Sequence, residues 1–391
     1  GFFSLLPAAA AGGAMALPAL LGLAGAASIR PSALQGALAA PRPGVVLALG
    51  FVAWAAITAL WAPGRGLELA GKLLALTVFG ALFVLAAGAD AGMRRMTTSA
   101  VSAACAVLII LLGVEATLDM PLTRLTASDL PDWEVAKIPG RGGTVLAAIL
   151  WAGAGGLLLR PTLVRGAAAL VLLAAGAFAG GQFFHTANNL ALMAGVAAFV
   201  VGWMAPATAI RLVTAALALW LAAAPLSYPL IFSNADLNAA LPFSWSARIE
   251  AWNYVAAGVL EQPWFGHGLE AARADNATTI LRGIETDIIP THPHSASLQI
   301  WFETGLVGAG LAAAALTLGG QALARACRGK RAAGAATTAS FVALGIIANL
   351  SYSLWQEWWD AAMFISAAAC AALMRMETPL MAAAPKRKQS A

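Results

Sequence analysis

The sequence predicts an all-α polytopic integral membrane protein of about eleven transmembrane helices, with one large extracytoplasmic loop that contains short helices. Three observations carry this expectation. Charged residues make up only 10% of the 391-residue chain, against roughly 25% in an ordinary soluble domain. Hydrophobic residues make up 60%, and the mean hydropathy is +0.79. Apolar runs long enough to cross a hydrocarbon core of about 30 Å recur along the whole length. In lipid such runs must be helices, because their backbone groups find no water to bond.

Spans are expected near residues 5–27, 44–61, 67–88, 99–118, 143–159, 166–182, 189–205 and 209–232, an N-terminal block of eight over 1–232. A loop follows over 233–296, too long to be a mere connector. Spans near 297–319, 335–354 and 360–375 form a C-terminal block over 297–375, and a basic cytoplasmic tail occupies 376–391. The runs "LLPAAAAGGAMALPALLGLAGAA" and "AALVLLAAGAFAGG" are rich in the small residues that let helices approach closely in lipid. No internal repeat or soluble terminal domain interrupts the pattern, so one integral-membrane domain is the simplest description.

Orientation follows from the basic residues. With Arg325, Arg328, Lys330 and Arg331 placed in the cytoplasm, 15 of the 23 Lys and Arg fall on that side and 7 on the other, with Lys72 inside a span. The positive-inside rule favours this choice, which makes 233–296 and "WQEWWD" (355–360) extracytoplasmic. An odd span count with a cytoplasmic tail leaves Gly1 outside, and the chain has no initiator Met, so a twelfth, upstream helix is expected. Cys105, Cys327 and Cys370 lie in spans or on the cytoplasmic side and predict no structural disulfide. The tail "PKRKQS" and a pI near 9.4 fit topology and anionic membrane lipids and do not point to nucleic acid.

The loop predicts its own helix. Ser246 is a candidate N-cap with Glu250 about one turn in, and Ile249, Trp252, Val255, Ala256 and Val259 recur at helical spacing. Such a helix, bearing Arg248, is expected to lie along the membrane surface. "QPWFGHG" then breaks it and opens an irregular stretch ending at His292-Pro293-His294. This His-Pro-His leaves three readings open. A metal site would need further defined ligands, and Glu285, Asp287 and Glu303 are the nearest acids, so none is expected. His294 could cap the following helix. It could also serve as an imidazole base at an extracytoplasmic surface. Lys72 and Glu115, inside apolar spans, are suspects by default, with snorkelling as the alternative. "SYSLWQEWWD" reads most simply as an interfacial aromatic belt.

The segment from His294 resembles the signature of the O-antigen ligase and O-antigen polymerase family: a His, then Asn, Ser or Gln, nine residues, and Gly-x-x-Gly. Here it reads His294-Ser295, "ASLQIWFET", then Gly305-Leu306-Val307-Gly308, with Glu303 in its usual place. Upstream, "SARIEAWNYVAAGVLEQPWFGHG" resembles the family's Arg-x-x-x-Trp helix followed by Pro-x-x-Gly-x-Gly, giving Arg248, Trp252, Pro263, Gly266 and Gly268. The match is specific over about 245–310 and is most like an O-antigen ligase.

The resemblance implies a metal-independent glycosyltransferase of the bacterial inner membrane, without cofactor, acting at the periplasmic face. The implied donor is a glycan on undecaprenyl diphosphate, and the leading acceptor is lipid A-core. His294 would be the general base and Arg248 the clamp on the departing diphosphate. Arg141, beside glycines at the outer end of a span, resembles the family's Arg/Gly-rich start of that helix and is a phosphate-ligand candidate. Where many members carry Ser-Arg at a later span, this chain reads His185, Thr186, Asn188 and Asn189. Arg273 or Arg282 in the loop are candidates to compensate, and His292, Trp252 and Glu303 are further substrate-binding candidates, with His267 a candidate for acceptor binding. A polymerase of the same family is the alternative, since it needs the same base and clamp. A glycolipid transporter or flippase is the alternative from another class, against which stands the scarcity of mid-span charge.

Overall fold

The computed structural model describes residues 16–379 apart from 126, 128, 136, 184, 185, 235–237 and 239. The helices of its first half are α1 (Ala16–Ser28), α2 (Pro31–Ala39), α3 (Pro43–Thr58), α4 (Gly66–Ala87), α5 (Ala91–Thr117), α6 (Pro121–Arg124), α7 (Asp132–Val135), α8 (Lys137–Leu158), α9 (Leu163–Gly181), α10 (Thr186–Met204) and α11 (Pro206–Phe232). The loop holds α12 (Phe243–Glu261), α13 (Ala271–Ala274) and the strands β1 (Thr278–Leu281) and β2 (Ile284–Asp287). The chain closes with α14 (Ala296–Ala326), α15 (Arg331–Leu350) and α16 (Glu357–Met376). Helix starts follow the local sequence. Pro31, Pro43 and Pro206 stand at first helical positions, where a missing N–H costs nothing. Asp90 caps α5 by accepting from the Met93 amide at 2.9 Å.

Among the described residues nine helices are long and apolar enough to cross a membrane, or up to ten if α2 and α3, bent by 89°, count as one span. The nine overlap the expected spans from 67–88 onward, with ends that differ most at Ala91 (expected 99), Lys137 (expected 143) and Ala326 (expected 319). Of the expected 5–27 span, residues 5–15 lie outside the described residues, and α1 supplies the remainder. Most of the tail 376–391 also lies outside them. The protein is a nearly all-helical, multi-pass membrane protein. Its axis is α8, buried without interruption from Gly142 to Gly155 and packed by α5, α9, α15 and α16. Alanine and glycine dominate that stretch, which lets the surrounding backbones close in.

The loop of residues 233–296 departs from several expectations. Helix α12 begins at Phe243 behind Pro242, and the Ser246 hydroxyl, not an N-cap, donates to the Asn238 carbonyl at 2.8 Å. Its apolar stripe turns inward, where Ile249, Trp252, Val255 and Val259 pack against Tyr228, Leu298 and Phe302, so the stripe serves the bundle and not the membrane surface. The stretch expected to be irregular contains α13 and a hairpin in register from Thr278↔Asp287 to Leu281↔Ile284. Arg282 and Gly283 form its two-residue turn with φ of 53° and 80°, the pair of positive φ values that matches the twist of a hairpin. "TTIL-RG-IETD" carried that signal, a turn glycine between two β-branched runs.

The loop is fastened to α14 by direct backbone contact. The amides of His267 and Gly268 donate to the carbonyls of Phe302 and Glu303 at 2.8 and 3.0 Å, and Leu306 donates back to Pro263 at 2.8 Å. α14 breaks here, at Gly305 with φ 63° and ψ −165°. A Cβ on Gly305 would meet the Trp264 carbonyl at 2.5 Å and the Gly266 nitrogen at 2.6 Å, and one on Gly266 would meet the Glu303 carbonyl carbon at 2.5 Å. Both obstacles are backbone and cannot move aside. Gly305→Ala is therefore expected to destabilise by at least about 2 kcal/mol through left-handed strain and overpacking. A lowered melting temperature of the detergent-solubilised protein would register it, and an unchanged one would contradict the close packing.

Candidate active site

The His-Pro-His turn is held from three sides. Ser295 caps α14, its Oγ accepting from the Leu298 amide at 3.3 Å and lying 2.7 Å from the Tyr228 hydroxyl. The capping role considered for His294 thus belongs to its neighbour. The Trp252 indole donates to the Pro293 carbonyl at 2.8 Å. The His294 amide donates to Nδ1 of His292 at 3.1 Å, and the two rings sit 4.3 Å apart at 63°. His294 itself takes φ 53°, a left-handed conformation that costs a residue with a Cβ roughly 1–2 kcal/mol. Such strain persists only where surrounding contacts over-determine it.

These contacts fix the tautomers. Nδ1 of His294 lies 2.5 Å from the Ser351 carbonyl. A carbonyl can only accept, so Nδ1 carries the proton and Nε2 keeps its lone pair. His292 accepts at Nδ1, so its proton sits on Nε2. Both rings are held neutral. Burial, reinforced by the Arg248 charge, lowers His294 to about 4, against a smaller upward pull from the Ser351 carbonyl. Burial lowers His292 to about 3, with His294, Arg248 and Arg273 acting in the same direction.

Arg248 stands one turn before Trp252 on α12. Its Nε is buried and finds no hydrogen-bond partner among the described residues, and its guanidinium lies 5.3 Å from the centre of the Trp245 ring. Burial lowers its pKa. Buried cations are ordinarily paired, so an orphaned guanidinium nitrogen is a place for an anion. Arg141, half-buried in the first turns of α8, and Arg248 are both within electrostatic reach of Tyr352. The Tyr352 hydroxyl is 3.2 Å from Thr144 Oγ1, which is bonded in turn to Asn188 Oδ1 at 3.0 Å. Asn188 also donates to the Gly140 carbonyl at 3.0 Å, next to Arg141. Burial pushes the Tyr352 phenol up, while the two arginines pull it down. Sequence reasoning had set "SYSLWQEWWD" aside as an aromatic belt and missed Tyr352. Trp355, Trp358 and Trp359 of that stretch are only 7%, 3% and 0% exposed, so they face the protein interior and not lipid.

Beside this group opens a cleft of about 170 Å³, lined among others by His292, Arg273, Lys72, Gln299, Glu270 and Glu357. Arg273 faces Glu270 at 3.4 Å, and Lys72 reaches Glu68 at 2.8 Å and Glu357 at 3.8 Å, so the cleft is lined by ion pairs of both signs. The remaining candidates are placed elsewhere. Arg282 donates to the carbonyls of Asn238 and Leu241 and to Ser246 Oγ, at 3.2, 2.6 and 2.7 Å, tying the hairpin to the start of α12. His267 stacks on Phe302 at 4.3 Å with Nε2 2.9 Å from the Gly258 carbonyl. Glu303 is fully buried and accepts from the Glu270 amide, the Trp355 indole and Gln299 at 3.0, 2.5 and 3.1 Å. Gly308 lies against Thr304 and Trp54. Glu115 accepts from the amides of Leu122 and Thr123 at 2.7 and 3.2 Å, closing the turn into α6. His185 lies outside the described residues.

Comparison with known proteins places this arrangement. Residues 140–313 match the family model described as O-antigen ligase. A provisionally named polysaccharide ligase of Rickettsia prowazekii is 32% identical over 117 residues, and one of Rickettsia typhi is likewise 32% identical over 117. Each match covers 29% of this chain and 28% of the relative. A third such protein, of Rickettsia bellii, is 31% identical over 119 residues. No solved structure gives a significant match. The stretch that matches this family model runs from the start of α8 into α14 and contains Arg141, Arg248 and His294.

Proposed function

We propose that the protein is a glycosyltransferase that moves a glycan from undecaprenyl diphosphate to a hydroxyl of an acceptor, with lipid A-core as the leading candidate, at the periplasmic face of the inner membrane. The observation that carries this reading is the pairing of a neutral imidazole with an open Nε2 and an orphaned, desolvated guanidinium within each other's field. In the reaction, an acceptor hydroxyl attacks the anomeric carbon. Nε2 of His294 takes its proton as the new C–O bond forms and the bond to the diphosphate breaks. Arg248 and Arg141 receive the charge of the leaving group, the first by a bidentate fork, and no step of this reading requires a metal. Tyr352, held by Thr144, offers a phenol within electrostatic reach of both arginines. The ion-paired cleft beside His292 stands on the acceptor side.

The test is complementation of a deletion strain, with lipopolysaccharide and lipid-linked glycan examined in parallel. Loss of the protein is expected to leave core without O-chain and to accumulate lipid-linked polymer. His294→Ala is expected to reproduce that loss, with turnover down roughly 10²–10⁴-fold for removal of a general base. A core bearing a single repeat would mark a polymerase. A normal ladder from His294→Ala at equal expression would remove the base assignment.

The pH dependence adds a second expectation. In the free enzyme His294 is neutral above about 4, so kcat/KM for the donor falls only as pH drops through that value. A bound diphosphate cancels the Arg248 charge that depresses His294, so in the complex the imidazole protonates more readily. The acid limb of kcat is therefore expected at higher pH than that of kcat/KM. Coincident limbs in profiles of the reconstituted enzyme would deny the coupling of Arg248 to His294.

A further inference from the structure

The end of the bundle remote from His294 gathers positive charge around one carbonyl. Helix α4 starts beside the loop, where a Cβ on Gly66 would meet the Leu269 carbonyl at 2.9 Å, and runs away to Gly88. Helix α16 starts at Glu357, in the wall of the cleft, and runs away to Arg375. At this far end Nη1 of Arg375 donates to the Gly88 carbonyl at 2.5 Å, and Nη1 of Arg94 lies 3.5 Å from the same oxygen. Two guanidinium groups thus converge on one neutral acceptor. Arg42, just ahead of α3, is also within electrostatic reach of Arg375. Asp90 reaches Arg94 electrostatically but is paired with Arg30 at 3.2 Å and caps α5 through the Met93 amide, and it does not reach Arg375.

Three arginines from three separate parts of the chain therefore share a corner with no free carboxylate facing Arg375 among the described residues. Like charges so placed repel unless an anion lies between them. We propose that Arg42, Arg94 and Arg375 form a headgroup site for an anionic phospholipid at the end of the bundle away from His294. The three side chains come from different helix ends, so a phosphate can be held from several sides, as guanidinium forks favour. The flanking helices point to a lipid in place of a free ion. Met96 stands two residues from Arg94 on α5, and Leu20 and Leu23 lie on α1, which leads to Arg30 and its pair Asp90; they are 57%, 59% and 67% exposed, apolar surface on helices that reach this corner and can take acyl chains. The site is independent of the glycosyl-transfer reading, since none of its residues approaches the His294 group.

The test uses the full chain purified in neutral detergent, with retained lipid read by native mass spectrometry and thermal melting read after adding phosphatidylglycerol, phosphatidylcholine or inorganic phosphate. Phosphatidylglycerol is expected to stay bound and to raise the melting temperature, and phosphatidylcholine to do neither. Arg94→Gln and Arg42→Gln are each expected to weaken phosphatidylglycerol binding about fivefold, the scale of one interfacial arginine. Arg42→Gln keeps the test valid if Arg94→Gln disturbs the fold, because the Arg42 side chain makes no capping hydrogen bond to α3. Arg325→Gln/Arg328→Gln removes charge from the same end outside the cluster and is expected to change binding little. An equal loss in that control would overturn the site in favour of diffuse surface charge. A shift of the same size with inorganic phosphate would overturn the lipid, and no preference for phosphatidylglycerol would overturn both.

Discussion

The backbone of residues 263–268 lies directly against that of 302–307, and this crossing positions everything at the His294 end of the bundle. Ordinary helix packing holds axes about 8–10 Å apart because side chains fill the space between them. Here two glycines with positive φ, Gly266 and Gly305, remove the side chains altogether, and the amides of one segment bond the carbonyls of the other. The break in α14 at Gly305 frees carbonyls that an unbroken helix would consume, and the loop uses them. Phe302, Glu303 and Thr304 are buried, so each such bond satisfies a backbone group that would otherwise be costly. The loop is thereby an extension of the bundle, and α12 hangs from it with Trp252 pressed between Tyr228 and Phe232 at 5.1 and 4.9 Å.

Glu303 shows what the crossing asks of its surroundings. Its carboxylate takes the Glu270 amide on the loop, the Trp355 indole beyond α15 and Gln299 on its own helix. Gln299 in turn exchanges hydrogen bonds with Ser353 and accepts from the Leu354 amide at 3.1 Å. One network therefore joins the loop, α14 and the segment that carries Ser351 and Tyr352. Ser351 faces Nδ1 of His294 through its carbonyl, so the Glu303 carboxylate is tied by this network to the segment that fixes that ring. The scarcity of acids near Arg248 has the opposite sense. A carboxylate there would satisfy the guanidinium and close the place where an anion can be held.

Most of the fold was legible because lipid imposes one rule on every span. A run of apolar residues must be a helix, so nine helices could be placed from composition and length. The loop followed no such rule. Ser246 read as a cap because Ser-x-x-x-Glu is a local signal, yet Pro242 starts the helix earlier and frees the serine to bond Asn238. The stripe on α12 read as interfacial because amphipathicity reports that one face is buried without saying against what. The Trp-rich stretch at 355–360 misled for the same reason. Within the candidate site, His294, Arg248 and Arg141 stood out in the sequence as a histidine and two arginines in the loop and at a helix start. Tyr352 was not, because its place depends on α8 and the segment after α15 meeting across more than two hundred residues of sequence.

The His294-Ser295 pair can now be read as a conformational device. A helix that begins at Ala296 needs an N-cap whose side chain accepts from the N3 amide. Ser295 does this for Leu298 while its Oγ is also engaged by Tyr228. Asn, another residue the motif allows at this position, is also a good cap, whereas an apolar residue is not. With the cap fixed at 295, the residue before it lies outside the helix and is free to take another backbone region, and His294 takes the left-handed one. That turn swings the imidazole off the axis of α14 and aims Nδ1 at the Ser351 carbonyl. The Trp252 indole fixes the intervening carbonyl of Pro293, and the His292 ring accepts the amide that the turn would otherwise strand. The proline limits the approach to that turn by its fixed φ. The small residue after the histidine, the proline before it and the tryptophan on α12 therefore serve one end. They hold a neutral imidazole with its lone pair uncommitted, in the field of a guanidinium that waits for charge.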